Sequence, residues 1–158
     1  MNLTKQFQLT EEESRALKGL VPKGGISYLK KDRDIKEDSV LSFSSLDESY
    51  EEVIAGALSK IGPRADIIET GVFAFSNVGL HTDSIYPKSH VAAVIPVAGY
   101  GSLYVTDGNK VEQNFIGKTQ YGFRLTTAIL FDDQKPHCYF GNGLMLAIIC
   151  GVRRELLE

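Results

Sequence analysis

Apolar positions divide this chain into two textures. Through about residue 64 they recur at helical spacing. From Ala65 onward they gather in short runs separated by Gly, Asn, Asp and Pro, the spacing of strands. In the first part, Thr10-Glu11-Glu12-Glu13 has the form of a capping box, in which a hydroxyl and a carboxylate satisfy free N–H groups reciprocally. It predicts a short helix to about Leu20, stopped by Pro22-Lys23-Gly24-Gly25. Residues 26–29 and 40–43 predict short strands around the polar run 30–38, which reads as a solvated loop. Residues 44–61 predict the clearest helix. Ser45 or Asp47 can cap it, Val53, Ile54, Ala57, Leu58 and Ile61 share one face, and Gly62-Pro63 ends it. That face is expected to pack on the outside of a sheet.

In the second part the runs predict strands over 66–75, 91–97, 102–106, 110–116, 123–131, 137–140 and 144–152. Pro96 is expected to make the far end of its strand an edge or a terminus, because it has no N–H for a ladder. Asp107-Gly108-Asn109 predicts a hairpin turn, and Asn142-Gly143 another tight turn. A strand reading also ends at His81, where a turn-rich segment begins. Two helices followed by about seven or eight strands predict a mainly β fold, a rolled sandwich or barrel with helices backing one sheet. The expected organisation is a single domain over residues 1–158. Residues 1–64 supply a helical buttress and lead-in strands, and residues 65–158 the barrel core.

Composition narrows the partners. The 158 residues are 43% hydrophobic and 23% charged, with net charge −3, the balance of a globular domain with one sizeable core. No basic stripe tracks a phosphate backbone, so no nucleic-acid partner is expected. No apolar run nears the length of a membrane span. The first residues lack a basic region followed by an apolar run, and Cys138 and Cys150 form no metal spacing or disulfide framework. A reducing cytoplasmic setting is the expectation.

The candidate chemistry centres on His81-Thr82-Asp83 within residues 71–90. In extended chain, residues two apart face the same side, so an imidazole and a carboxylate can aim at one point. Two histidines and one carboxylate on one face of iron leave positions open for cosubstrate and oxygen. Residues 128–137 form an apolar strand, the acidic turn Asp132-Asp133-Gln134-Lys135, then Pro136-His137 opening a new strand. In this segment, together with His81-x-Asp83 and the stretch Val91–Val97 followed by Gly99-Tyr100-Gly101-Ser102-Leu103, the chain resembles the iron(II)- and 2-oxoglutarate-dependent dioxygenases. Phe131-Asp132-Asp133, His137 and Asn142 faintly resemble their aspartyl/asparaginyl hydroxylase branch. The resemblance implies a double-stranded β-helix, or jelly roll, here backed by two helices. It implies iron(II) held by His81, Asp83 and His137, 2-oxoglutarate as cosubstrate, molecular oxygen, and hydroxylation of a peptide side chain or small molecule. His90, at a strand start, reads as a surface or strand-end residue. Asp132 and Asp133 read as turn formers that orient His137, with a hydrogen bond to its free ring nitrogen. Cys138 reads as a core residue, and Tyr86-Pro87-Lys88 as a loop where substrate would be covered.

The family also implies a basic residue, usually Arg, for the far carboxylate of 2-oxoglutarate, early on the strand after the distal histidine. Residues 144–149 carry no charge. If Gly141-Asn142-Gly143 is a tight reversal, the returning strand passes His137 near Ala147, and Arg153 and Arg154 fall roughly 20 Å farther along extended chain. Three alternatives stay open: Arg153 or Arg154 reaches in; another strand supplies the group, through Arg124 or the hydroxyl of Tyr104; or the cosubstrate site is lost. The last would make the chain a non-catalytic or degenerate jelly-roll or cupin-like binding module.

Overall fold

The structure, a computed structural model, describes residues 2–21, 40–43, 49–118 and 126–158. The expected strand at 26–29, the polar loop at 30–38, the caps Ser45 and Asp47, and Arg124 lie outside the described residues.

The elements run β1 (Thr4–Leu9), α1 (Glu11–Leu20), β2 (Val40–Phe43), α2 (Tyr50–Leu58), β3 (Ile68–Phe75), β4 (Val78–His81), β5 (His90–Ala98), β6 (Tyr100–Thr106), β7 (Val111–Lys118), β8 (Thr126–Phe131), β9 (His137–Gly141) and β10 (Met145–Arg153), closed by a 3₁₀ turn at Arg154–Leu156. The capping box forms as read: Thr10 Oγ1 accepts from the Glu13 N–H, and the Glu13 carboxylate accepts from the Thr10 N–H. In α2, Ile54, Ala57 and Leu58 are buried, with Val53 partly so, as the periodicity predicts.

The strands pair antiparallel in the order β2-β3-β10-β5-β8-β7-β6-β9-β4, with β1 added to β8. The β7–β8 pairing is confined to Gly117↔Thr127 and Lys118↔Thr126. At that corner the sheet curls, so that β3-β10-β5-β8 faces β7-β6-β9-β4. This is a double-stranded β-helix, a jelly roll, backed by the two helices of the described residues. Side chains alternate across the first of these sheets. Val72, Ala74, Val91, Ala93, Ile95, Leu146, Ile148 and Cys150 form one cluster with Leu17, Ile54 and Leu58 of the helices. Phe75, Ala92, Val94, Ile129, Met145 and Ala147 point inward and meet Leu103, Ile116 and Tyr139 of the opposite sheet. A sheet buried on both faces explains why residues 91–97 and 144–152 are apolar runs rather than alternations.

Two differences from the sequence reading, at β1 and at the turn after β9, have physical causes. Residues 4–9, left without an element, form β1, with its Leu3 and Thr4 N–H groups donating to the Glu112 carboxylate at 2.9 and 3.2 Å. Pro96 makes the far end of β5 an edge, as expected: it lies opposite Ala147 beside a register irregularity, beyond the Ala92–Val94 stretch that pairs with β8, so its missing N–H interrupts no ladder on that side. The Gly141-Asn142-Gly143 turn does not fold β10 back along β9. β9 pairs with β4 and β6, β10 with β3 and β5, and the turn carries the chain from one sheet to the other. Gly143 takes φ +85°, a left-handed conformation that glycine accepts without strain. Among the described residues no helix is long and apolar enough to cross a membrane.

Ile148 is fully buried where β10 meets the helices. Ile148→Ala is expected to destabilise the fold by about 3 kcal/mol through lost burial and an unfilled cavity. A lowered midpoint in urea unfolding at unchanged slope would register it.

Candidate metal centre

Strand pairing assembles the site. His81 closes β4, His137 opens β9, and the two are directly opposite in register. Directly opposed side chains in an antiparallel pair share one face. The imidazole centroids are 4.2 Å apart and tilted by 57°. Asp83 follows two residues after His81, and its N–H donates to the Asp133 carbonyl at 2.8 Å, tying its loop to the turn before His137. Its Oδ2 lies 3.2 Å from His81 Nε2 and 3.3 Å from His137 Nε2. One candidate ligand atom from each residue falls within 4.8 Å of the others.

The outer ring nitrogens decide what the inner ones can do. His81 Nδ1 is 2.6 Å from the Gly79 carbonyl, and His137 Nδ1 is 2.8 Å from the Lys135 carbonyl. A carbonyl oxygen only accepts, so each Nδ1 carries a proton and donates, which leaves Nε2 of each ring as the nitrogen available to a metal. Two such nitrogens and a carboxylate oxygen converge, a donor set able to hold a cation. Burial, ahead of the other influences, holds His137 below the ordinary histidine value, which keeps the ring in the neutral form that a metal requires. The partner of its free nitrogen is the Lys135 carbonyl, not an Asp carboxylate. Asp132 instead shapes the turn: its Oδ1 accepts from the Gln134 N–H and its carbonyl from the Lys135 N–H.

One arginine ties the ligand-bearing segments together. Arg154 donates from Nη1 to Asp132 Oδ2 at 2.9 Å, from Nε to the Lys88 carbonyl at 2.7 Å, and from Nη2 to the His90 carbonyl. It thereby joins the loop after Asp83 to the turn before His137.

A cavity of about 520 Å3 adjoins the triad, between the two sheets. Its walls are largely apolar, with Phe73, Phe75, Val94, Leu103 and Ile149 among them. None of its described lining residues is Lys or Arg. Arg153 is half exposed at the end of β10, with Nε 4.0 Å from Asp66, and is not among the lining residues. Arg154 is engaged as above. Tyr104 stands edge-on to Phe140 at 5.8 Å and is also absent from the lining. His90 does begin a strand but is buried, with Nε2 3.0 Å from the Asp66 carbonyl. Cys138 is partly exposed and contributes to the cavity wall.

Other polar residues line the cavity that motif reading does not single out. Tyr139, two residues after His137, lies on the same face of β9 and packs edge-on against Phe75 at 5.0 Å. Its hydroxyl is buried with no hydrogen-bond partner, and the ring runs over Gly101, where a Cβ would come within 2.4 Å of that oxygen. The two-residue rule that pairs His81 with Asp83 also finds Tyr139 when carried forward from His137. Thr70 has a buried hydroxyl without a partner, and Asp133 a buried carboxylate oxygen without one. Glu69 and Tyr86 complete this side. Glu69 takes φ +48°, a left-handed conformation next to the β3–β10 irregularity that periodicity cannot foresee.

No protein-family model and no curated protein matches the chain in sequence. Its likeness is to solved structures. A non-heme α-ketoglutarate-dependent carbocyclase, SnoK, from nogalamycin biosynthesis aligns over 96% of this chain and 79% of its own, with TM-score 0.56 and 12% identity. A Pseudomonas putida prolyl-4-hydroxylase aligns over 98% and 94%, with TM-score 0.52 and 13% identity. A Trichoplax adhaerens prolyl hydroxylase, solved with a hypoxia-inducible-factor peptide fragment, aligns over 95% and 84%, with TM-score 0.51 and 13% identity. At these identities the likeness is one of fold: the chain shares a jelly-roll architecture with these structures. The finer aspartyl/asparaginyl hydroxylase resemblance finds no counterpart among these structures.

Two outcomes follow from the geometry. Arg154→Gln is expected to weaken metal binding about ten-fold, by loosening the segments that carry Asp83 and His137; competition with a chromogenic chelator measures it. In the metal-free protein, burial and then the charges of Asp83 and Asp132 push Asp133 from 3.8 up to about 6. Between those values the folded chain binds more protons than the unfolded one, so this residue's contribution to stability falls as pH rises through the window. Asp133→Asn is therefore expected to raise Tm near neutral pH, with the gain lost below about pH 4, as followed by thermal unfolding across pH.

Proposed function

We propose that the chain is an iron(II)- and 2-oxoglutarate-dependent oxygenase that hydroxylates a peptide side chain or a small molecule, working as one jelly-roll domain. The observation that carries this is the convergence of His81 Nε2, His137 Nε2 and Asp83 Oδ2 beside a cavity between the two sheets of this fold. Iron(II) fits the donor set: two neutral imidazoles and one carboxylate on one face, with no thiolate among them. The Asp83 carboxylate compensates part of the ion's charge, and the carbonyls behind each imidazole hold the rings in the ligating tautomer.

The fit of 2-oxoglutarate rests on Tyr139 and Thr70, residues of the cavity wall whose buried hydroxyls have no partner. A buried donor without an acceptor is costly, and a carboxylate entering the cavity would supply one. Tyr139 stands one two-residue step, roughly 7 Å, along β9 from His137, a distance suited to the far end of a five-carbon diacid bound at the metal. Among the described lining residues these neutral donors take the place that the family gives to a cation; Arg124 lies outside the described residues. Bound iron with 2-oxoglutarate supplies the oxidising chemistry for an unactivated C–H bond. The chain's own part is to hold the ligands, exclude water with Phe73, Phe75, Val94 and Leu103, and receive the substrate at the Ile85–Tyr86 side. The free thiols of Cys138 and Cys150 suit a reducing cytoplasmic setting for iron(II).

Anaerobic addition of iron(II) and 2-oxoglutarate to metal-free protein is expected to develop the weak visible charge-transfer band of the chelate. His137→Ala should abolish it. Tyr139→Phe should raise the 2-oxoglutarate concentration needed by roughly ten-fold, the worth of a hydrogen bond to a charged group. Retention of the metal with no band would replace the oxygenase with a metal-binding jelly-roll module.

A further inference from the structure

One side of the cavity is acidic beyond what the triad needs. Asp133 is 3% exposed, and its Oδ2 is buried with no hydrogen-bond partner. Its neighbour Asp132 is already satisfied by Arg154 and the Gln134 N–H, so the nearest arginine is taken. Glu69 reaches the same cavity from β3, in a backbone conformation that non-glycine residues rarely adopt. Tyr86 lines the same cavity as both carboxylates. Burial first, then the charges of Cys150, Asp133, Glu69 and Asp83, push its phenol well above the ordinary tyrosine range.

A divalent ion on the triad would compensate Asp83. A bound dicarboxylate would offset the positive charge that remains. Asp133, which has only the charge of the already engaged Arg154 near it, and Glu69 would still line the cavity, and none of its described lining residues is Lys or Arg. A buried carboxylate oxygen with no donor is completed by a donor that enters with the ligand, and a charged donor completes it best. The remaining walls, Phe73, Ala92, Val94 and Ile149, suit a hydrocarbon stem.

We propose that Asp133 and Glu69 receive an alkylammonium group, so that the substrate brings a basic amine on a hydrocarbon stem to the metal centre. As an assignment of substrate class this rests on the oxygenase reading, but the binding step itself needs neither iron nor 2-oxoglutarate.

The test uses the full chain, metal-free and zinc-loaded, in calorimetric titrations without 2-oxoglutarate. The probes are butylammonium against 1-butanol, and a short lysyl peptide against its norleucyl counterpart. The ammonium probes are expected to bind at least roughly ten-fold more tightly than their neutral partners, the usual margin of a charge-assisted hydrogen bond. Asp133→Asn and Glu69→Gln should each remove most of that margin and leave the neutral probes unchanged. Glu69 is exposed, so its variant keeps the test decisive if Asp133→Asn disturbs folding. A preference for the peptide assigns the amine to a lysyl side chain, and a preference for butylammonium to a small molecule. Equal binding of charged and neutral probes, or a margin untouched by either variant, would overturn the proposal. If the charge-transfer band is absent while this margin is present, the oxygenase reading falls and the amine site stands.

Discussion

The site depends on one register, the pairing of β4 with β9 that sets His81 directly opposite His137. Each imidazole is then fixed from behind by a carbonyl two residues earlier in its own chain, Gly79 for one and Lys135 for the other. The result is two ring nitrogens facing the Asp83 carboxylate across little more than 3 Å. The β4–β9 pairing places the two histidines, and the hydrogen bond from the Asp83 N–H to the Asp133 carbonyl places the third ligand's loop. A slip of one residue between β4 and β9 would turn one histidine to the opposite face and remove the site altogether.

The scaffold around that register is stiff for a physical reason. The sheet β3-β10-β5-β8 is covered by helices on one side and by the opposing sheet on the other, so its strands have little freedom to shift. The second sheet, which carries both histidines, is less protected: Phe140 and Val111 stand exposed on it. Arg154 compensates at the loop end. It extends from just beyond β10 on the rigid sheet and grips the segments leading from Asp83 and into His137. The rigid half of the molecule thus reaches across to order the half that bears the ligands.

Much of this was legible in the sequence where the physics is local. The capping box needs only Thr10 and Glu13, the apolar face of α2 only its periodicity, and the hairpin at Asp107-Gly108-Asn109 only its turn residues; each formed as read. The apolar runs of residues 91–97 and 144–152 formed strands as read, β5 and β10. Where the reading departed from the structure, the deciding contact was distant in sequence. β1 exists because β8 and Glu112 satisfy its backbone. Tyr139 and Asp133 matter because of what they face, while in the sequence one is a strand tyrosine and the other a turn former.

The sequence alone determined the elements, the apolar faces and the residue types able to bind a metal, since these follow from short-range backbone preferences and side-chain chemistry. The tertiary structure decided that β9 and β10 belong to different sheets, which takes Arg153 away from the cavity and brings Tyr139 and Thr70 to it. It also decided that the cavity's described surface is acidic rather than basic. Neither could be read along the chain, because which strands become neighbours is set by how the whole sheet curls to bury its two faces, not by any one segment.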